Sequence, residues 1–132
     1  MEERGLEPEF PAVVQRELAA MGPLALDAAA GTVDLRTLPW CSIDNDDSLD
    51  LDQLTSCEML AAGAVLVRVA IADVDARVAK GSAIDAHARL NTTSVYTSAR
   101  IFPMLPERLS TDLTSLNPGQ DRLALVTQMV VA

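Results

Sequence analysis

The residues best suited to chemistry lie in an acidic segment, residues 44–52, that contains five aspartates. If residues 49–54 are extended, Asp50 and Asp52 point to one side and the neighbouring leucines are buried on the other, while Asp44 can approach from the preceding loop. Like charges held close together raise one another's pKa unless a cation neutralises them. Carboxylate oxygens are hard ligands that suit Mg²⁺ or Mn²⁺. The pattern therefore indicates a divalent cation.

Three interpretations of the acidic segment stay open on spacing alone. A solvated acidic loop is the ordinary outcome for a run of like charges. A calcium-binding loop fits the alternation of oxygen ligands from Asp44 onward, but Leu49 stands where glycine is needed and Thr55 where a bidentate Glu belongs. The third interpretation is a phosphodiester-cleaving site, in which clustered aspartates hold divalent ions that activate water. The nearest basic residues in sequence are Arg36 and Arg68, so the carboxylates have no local counter-charge.

Composition describes a folded chain rather than a disordered one. The 132 residues are 49% hydrophobic and only 22% charged, which is enough apolar material for a core. The formal net charge of −9 and the aromatic content of 3% disfavour nucleic-acid binding by this chain alone, because such binding gains affinity from Lys and Arg and from stacked rings.

Cysteine usage and the N-terminal residues predict a cytoplasmic protein. Cys41 and Cys57 have no metal-type spacing and are too few for a disulfide scaffold, so we expect reduced, packed thiols. Residues 1–8 carry Glu2, Glu3 and Glu7 where a signal peptide would be basic and then apolar, and no apolar run approaches the roughly 18 residues of a membrane span. We therefore expect no membrane contact.

Periodicity predicts short helices around a few strands. Helical spacing over residues 9–20 predicts a helix that ends at Gly22-Pro23, and residues 24–31 are either helix or linker. Strand patterns over residues 49–59 and 65–72 predict a hairpin turning near Gly63. The other predicted elements are a Ser82-capped helix to about Leu90, a strand at 93–97, helical turns at 107–113 and a strand at 123–132. The last strand has no following turn, which leads us to expect a truncated domain.

The order of several motifs resembles the opening of the RNB catalytic domain of ribonuclease II and ribonuclease R. The similarity covers residues 34–132, and residues 1–33 form a separate helical or linker segment. The matching blocks are Asp34-Leu35-Arg36-x-Leu38-Pro39-Trp40, Ser42-Ile43-Asp44, Asp50-Leu51-Asp52, Val69-Ala70-Ile71-Ala72-Asp73-Val74, Gly81-Ser82 with Asp85, Thr93-Ser94-Val95-Tyr96, Ile101-Phe102-Pro103-Met104-Leu105-Pro106, Leu109-Ser110, and Leu113-Thr114-Ser115-Leu116-Asn117-Pro118 with Asp121-Arg122.

This resemblance implies a mixed α/β (α+β) fold, with a mixed sheet and short helices, that forms the N-terminal portion of an RNB domain. The implied activity is Mg²⁺-dependent 3′→5′ hydrolysis of single-stranded RNA to nucleoside 5′-monophosphates. Asp44, Asp50, Asp52 and Gln53 fall on the four metal positions, with Asp50 and Asp52 as catalytic residues. Tyr96 falls on the tyrosine that packs against an RNA base, although a half-buried strand tyrosine is the structural alternative.

Two departures from the family pattern favour a second hypothesis. The fourth metal position is the neutral Gln53, whose side-chain oxygen can still coordinate Mg²⁺ but cancels no charge. The downstream half of the catalytic domain and the cold-shock and S1 modules that grip RNA are not in this sequence, and they are the expected partners besides single-stranded RNA. The alternative is a catalytically inactive or split-gene remnant that acts as a non-enzymatic or partner-completed subunit. His87 belongs to no catalytic motif, and we expect it at the surface or in packing.

Overall fold

The computed structural model describes residues 2–22 and 31–132, which divide into two compact units. The helical unit contains Met1–Leu24 and Val74–Leu113, and the sheet unit contains Ala25–Asp73 and Thr114–Ala132. The alternative of helix or linker for residues 24–31 falls almost entirely outside the described residues. Within those residues, no helix is long and apolar enough to cross a membrane.

Two nine-residue helices form the centre of the helical unit: α1 (Ala12–Ala20) and α2 (Ala83–Asn91). The predicted cap is confirmed, because the Ser82 side chain accepts a hydrogen bond from the Asp85 backbone N–H at 3.2 Å. The reverse contact also forms, since the Asp85 carboxylate accepts from the Gly81 N–H at 2.7 Å. Both helices contribute to a small core made of Val14, Val78, Ile84 and Leu109.

A two-stranded hairpin and a π-helical turn complete the helical unit. Strand β3 (Val95–Tyr96) pairs antiparallel with β4 (Ile101–Phe102). The hairpin loop is fixed by Thr97, whose hydroxyl donates to the Arg100 carbonyl at 2.6 Å and accepts from the Arg100 N–H at 3.0 Å. The helical turns expected at 107–113 form as a π-helix over Arg108–Leu113, which buries Leu109.

The sheet unit contains three antiparallel strands: β1 (Gln53–Met59), β2 (Val65–Ala72) and β5 (Ala124–Val131). The strand order is β1-β2-β5, so β2 is central. The predicted hairpin is confirmed, and its turn places Ala62 and Gly63 in the left-handed region, with φ of 59° and 82°. Glycine takes that conformation without steric cost, whereas alanine does not. The terminal strand also forms, and it pairs with β2 along its whole length, from Val65 with Val131 to Ala72 with Ala124.

The buried residues of the sheet lie on one of its two faces, which also carries the 61% exposed Val130. Ser56, Ala70 and Ala72 are buried on the first face, while Ile71 and Leu125, which are cross-strand partners, are 41% and 71% exposed on the second. Strand β1 begins at Gln53 rather than near position 49. The expectation that the leucines of the acidic segment are buried is wrong for Leu49, which is 65% exposed, because residues 49–52 form a loop before β1 instead of a strand packed on the core. The predicted fold class, mixed helix and sheet, is confirmed.

Candidate functional site

The backbone of the acidic segment is held by a short stretch of the chain just before β5. The buried Ser115 hydroxyl accepts a hydrogen bond from the Leu51 N–H at 3.0 Å, and its single hydrogen faces two acceptors, the Leu49 carbonyl at 3.2 Å and Asn117 Oδ1 at 3.0 Å. The Leu116 N–H donates to the Leu51 carbonyl at 2.8 Å. Because the backbone N–H and carbonyl of Leu51 both form hydrogen bonds, the backbone is fixed between the two flanking aspartates, Asp50 and Asp52.

The two ends of the acidic segment are tied to the sheet. At its C-terminal end, the Asp52 carbonyl accepts from the Ala72 N–H at 2.9 Å, next to the last residue pair of the β1–β2 ladder. Before its N-terminal end, Cys41 and Thr55 exchange two backbone hydrogen bonds, of 2.9 and 2.7 Å. A turn in which the Ser48 N–H donates to the Asn45 carbonyl at 3.0 Å lies between these attachments. The segment is therefore a loop with anchored ends and an anchored midpoint.

The side chains predicted to bind metal all reach solvent. Asp44, Asp50, Asp52 and Gln53 are exposed, with the three aspartates on the anchored loop and Gln53 as the first residue of β1. Among the described residues, no salt bridge joins any of these aspartates to a basic side chain. In the same part of the chain, no three His, Cys, Asp or Glu side chains converge closely enough to hold a metal ion. The loop therefore brings the predicted ligands into one short stretch of surface without bringing their carboxylates to a common point.

The nearest basic residues in sequence are bound to other carboxylates. The Arg36 guanidinium contacts both oxygens of Asp34 and, at 2.7 Å, one oxygen of Asp121. These side-chain bonds, and the Arg36 backbone N–H, hold the pKa of the Asp34 carboxyl well below its usual range. Arg68 lies on β2 with its side chain only 13% exposed and binds Glu58 at 2.9 Å. Neither arginine contributes a counter-charge to the acidic segment.

The predicted RNA-contact residue, Tyr96, belongs to the helical unit. It lies on β3 opposite Ile101, and its side chain is 68% exposed. The side chain is therefore an open aromatic surface rather than a half-buried strand residue. The Arg100 guanidinium of the same hairpin lies 4.9 Å from the centre of the Phe102 ring and forms an ion pair with Glu9 at 2.6 Å.

His87 is a packing residue, as expected from the absence of a catalytic motif around it. It is 4% exposed, and its ring centre lies 4.6 Å from that of Phe10. Its Nε2 lies 3.0 Å from the Asn91 amide nitrogen, and its Nδ1 lies 3.3 Å from a Glu7 carboxylate oxygen. The Asn91 amide also donates to the Glu7 carbonyl at 2.8 Å and accepts from the Glu7 N–H at 2.9 Å. This arrangement holds the N-terminal segment against α2.

Comparison with known proteins decides the family. The model of the RNB domain matches residues 32–132, which include the acidic segment, Tyr96 and all three strands of the sheet unit. The chain belongs to the RNB domain family. The resemblance seen in the sequence motifs is therefore confirmed over the same part of the chain.

The RNB relatives are ribonucleases R that are much longer than this chain. Ribonuclease R of Escherichia coli (strain K12) is 42% identical over 124 residues, which are 93% of this chain and 15% of the relative. Ribonuclease R of Thermotoga maritima is 40% identical over 124 residues, again 93% of this chain and 18% of the relative. The chain thus spans less than a fifth of the length of these proteins.

Solved structures of ribonuclease R have the same fold as this RNB chain. Mycoplasma genitalium RNase R in complex with double-stranded RNA matches with a TM-score of 0.86 and 32% identity, covering 98% of this chain and 23% of that one. The same protein in complex with ribose methylated single-stranded RNA matches with a TM-score of 0.79 and 34% identity, covering 89% and 18%.

Ser115 is the positioning residue that sequence reasoning missed. Ser115 lies in the motif Leu113-Thr114-Ser115-Leu116-Asn117-Pro118, which by itself indicates no role for this residue. A polar residue inside an apolar stretch, followed by Asn-Pro, indicates a local side-chain to backbone bond. The sequence does not say that the bonded backbone lies more than sixty positions away, at Leu49 and Leu51.

Proposed function

We propose that this chain is the N-terminal part of an RNB catalytic domain that hydrolyses single-stranded RNA from the 3′ end, with Mg²⁺, to nucleoside 5′-monophosphates. The observation that carries the proposal is the match of the RNB domain to residues 32–132, because the matched region contains the acidic segment. The two Mycoplasma genitalium RNase R structures are complexes with RNA, which supports RNA as the substrate class.

The donor set of the acidic segment suits Mg²⁺ in its chemistry. Three carboxylates, from Asp44, Asp50 and Asp52, and the amide oxygen of Gln53 are hard oxygen ligands on one exposed loop. Within the described part of the chain, these side chains do not converge on one point. Coordination of a metal ion therefore requires them to rotate toward one another or requires further ligands. A divalent cation there would stabilise the negative charge that develops on a phosphodiester and lower the pKa of a bound water.

The residues of this chain then have separate roles in the proposed reaction. Asp50 and Asp52 lie on either side of the anchored Leu51, so the Ser115 and Leu116 contacts fix the positions from which the two carboxylates extend. Gln53 supplies an oxygen without charge, which leaves the site one negative charge short of a four-carboxylate arrangement. Tyr96 offers an exposed ring to an unstacked base, a contact worth about 1–3 kcal/mol in single-strand binding.

A partner-completed subunit is the second candidate function. One observation favours it: the predicted metal-binding carboxylates do not converge within the described part of the chain. As such a subunit, the chain keeps the RNB fold, and another polypeptide supplies the residues that complete the site. Catalysis by these 132 residues alone is then not expected.

A replacement chimera tests whether this segment supports catalysis when the rest of the domain is present. This chain is exchanged for the matching 124-residue segment of Escherichia coli ribonuclease R, and hydrolysis of 5′-labelled single-stranded RNA is followed with and without Mg²⁺. The proposal predicts stepwise shortening from the 3′ end and release of nucleoside 5′-monophosphates. Asp52→Asn should lower the rate at least about a hundredfold and leave RNA affinity unchanged, because the contacts that bind the strand lie elsewhere.

Asp47→Asn is the matched control. It removes a charge from the same loop at a position outside the four metal positions, so activity should stay within about twofold. A chimera that folds and binds RNA but does not hydrolyse it would contradict the catalytic role proposed for this segment. Equal losses for the Asp47 and Asp52 variants would contradict the assigned roles.

A further inference from the structure

The two cysteines of the chain lie beside the acidic segment on one face of the sheet unit. Cys41 is the direct partner of Thr55, since their backbones exchange both hydrogen bonds. Partners in an antiparallel pair point their side chains to the same face, and so do residues two apart along a strand. Cys57 follows Thr55 by two positions on β1. Cys41 and Cys57 are therefore diagonal neighbours on one face.

The Cys41 sulfur contacts the backbone of β1 between Thr55 and Ser56. The Sγ atom lies 3.4 Å from the carbonyl oxygen of Thr55, to which the thiol donates. That carbonyl is at the C-terminal side of Thr55, the side on which the strand continues to Cys57. Both thiols are free and exposed, contrary to the expectation that they are packed.

The separation across such a diagonal is close to the range of a disulfide. Diagonal neighbours have Cα atoms about 7–8 Å apart and Cβ atoms somewhat closer. Disulfides span Cα distances up to about 6.8 Å, so an approach of about 1 Å is enough to join the two sulfurs. Cys41 can make that approach because it is paired with β1 through a single isolated bridge rather than a continuous strand.

We propose that Cys41 and Cys57 form a dithiol modification site that peroxides oxidise to an intramolecular disulfide. One thiolate attacks hydrogen peroxide, forming a sulfenic acid and hydroxide as the O–O bond breaks. The second thiolate then attacks the sulfenic sulfur, forming the S–S bond and expelling hydroxide, which takes up a proton. In sum, two thiols and one peroxide become one disulfide and two waters.

The disulfide would close the base of the loop that carries Asp44, Asp50 and Asp52. The modification itself goes beyond the proposed function and does not depend on it, because it needs only the two sulfurs and a peroxide. It adds a covalent link between Cys41, which precedes the loop, and β1, the strand that follows it. Loss of RNA hydrolysis in the chimera would therefore leave this proposal intact, and absence of the disulfide would leave the proposed function intact.

Peptide mapping of the oxidised chain tests the proposal. The chain is treated with hydrogen peroxide, free thiols are blocked, and trypsin is added; residues 42–56 contain no Lys or Arg, so one peptide, residues 37–68, carries both cysteines. The expected result is a mass loss of about 2 Da in that peptide and no blocked thiol, reversed by reductant. Cleavage at the aspartates between the cysteines should then give two cysteine-containing fragments that separate only after reduction.

Matched variants and a second probe make the test decisive. Cys41→Ser and Cys57→Ser should each keep the 37–68 peptide free of the 2 Da loss. A trivalent arsenical, which condenses with two neighbouring thiols and releases water, should bind the unmodified chain at least tenfold more tightly than either variant. Two blocked thiols after peroxide treatment, disulfides formed only between separate chains, or equal arsenical binding by all three proteins would overturn the proposal.

Discussion

Replacing Ser115 with alanine should loosen the acidic segment and destabilise the sheet unit. Ser115 is 1% exposed; its hydroxyl accepts from the Leu51 N–H at 3.0 Å and lies within donating distance of the Leu49 carbonyl, at 3.2 Å, and of Asn117 Oδ1, at 3.0 Å. A buried backbone group that loses its partner costs about 1–3 kcal/mol. Water can reach Leu49, which is 65% exposed, so only the Leu51 N–H bears a large part of that cost. We therefore expect the free energy of unfolding to fall by about 1–2 kcal/mol.

Urea denaturation and amide hydrogen exchange measure the two parts of this effect. The midpoint should move to lower urea with an unchanged slope. The Leu51 amide should exchange about tenfold faster, since 1.4 kcal/mol corresponds to a factor of ten. Ser110→Ala is the control, because that hydroxyl donates to the Glu107 carbonyl at 3.2 Å from a less buried position, and a change below about 0.5 kcal/mol is expected. A similarly small effect for Ser115→Ala, with unchanged Leu51 exchange, would refute the anchoring role.

Three further predictions concern the metal site, the N-terminal segment and an exposed ion pair. Gln53→Asp should lower the Mg²⁺ concentration for half-maximal hydrolysis in the chimera, because it adds a fourth negative charge; an unchanged or higher requirement would argue against Gln53 as a ligand. Asn91→Ala should lower the free energy of unfolding, measured in urea, by about 2–3 kcal/mol, because the buried Asn91 amide binds both the N–H and the carbonyl of Glu7. A loss below about 1 kcal/mol would mean that water replaces the amide in these two hydrogen bonds. The Asp34 carboxyl should titrate below its usual pKa by NMR, and its pKa should return to the usual value in Arg36→Gln. Because the pKa is depressed in the folded state, the contribution of Asp34 to stability is present above the ordinary aspartate pKa and is lost as the pH falls through the folded-state pKa. An unchanged titration of Asp34 in the variant would contradict this prediction.

Local patterns predicted the elements whose partners are close in sequence. The Ser82 cap forms because its acceptor and donor are three residues apart. The β1–β2 hairpin forms because a short turn at Ala62 and Gly63 joins a run of partly alternating polar and apolar residues to a β-branched run. The composition of residues 123–132 predicts the terminal strand. The sequence does not predict that this strand pairs with β2, because Val74–Leu113 of the helical unit lies between the two strands.

The candidate site was predictable in residue type and not in geometry. The positions of the aspartates follow from the motif, but the burial of Ser115 and its bonds to Leu49 and Leu51 depend on contacts distant in sequence. The exposure of Leu49 and of both cysteines has the same origin, since alternation along a chain fixes the side of a residue without fixing what covers that side. The network of His87, Asn91 and Glu7 likewise needed a partner about eighty positions away.

Titration of the chain with Mn²⁺, followed by NMR, tests most directly whether the acidic segment is a metal site. Mn²⁺ replaces Mg²⁺ at oxygen sites and broadens the signals of nearby nuclei. We predict selective broadening of residues 44–53, competition by Mg²⁺, and loss of the effect in the Asp50→Asn/Asp52→Asn double variant. Broadening spread evenly over the other exposed carboxylates, or unchanged in the double variant, would contradict the assignment.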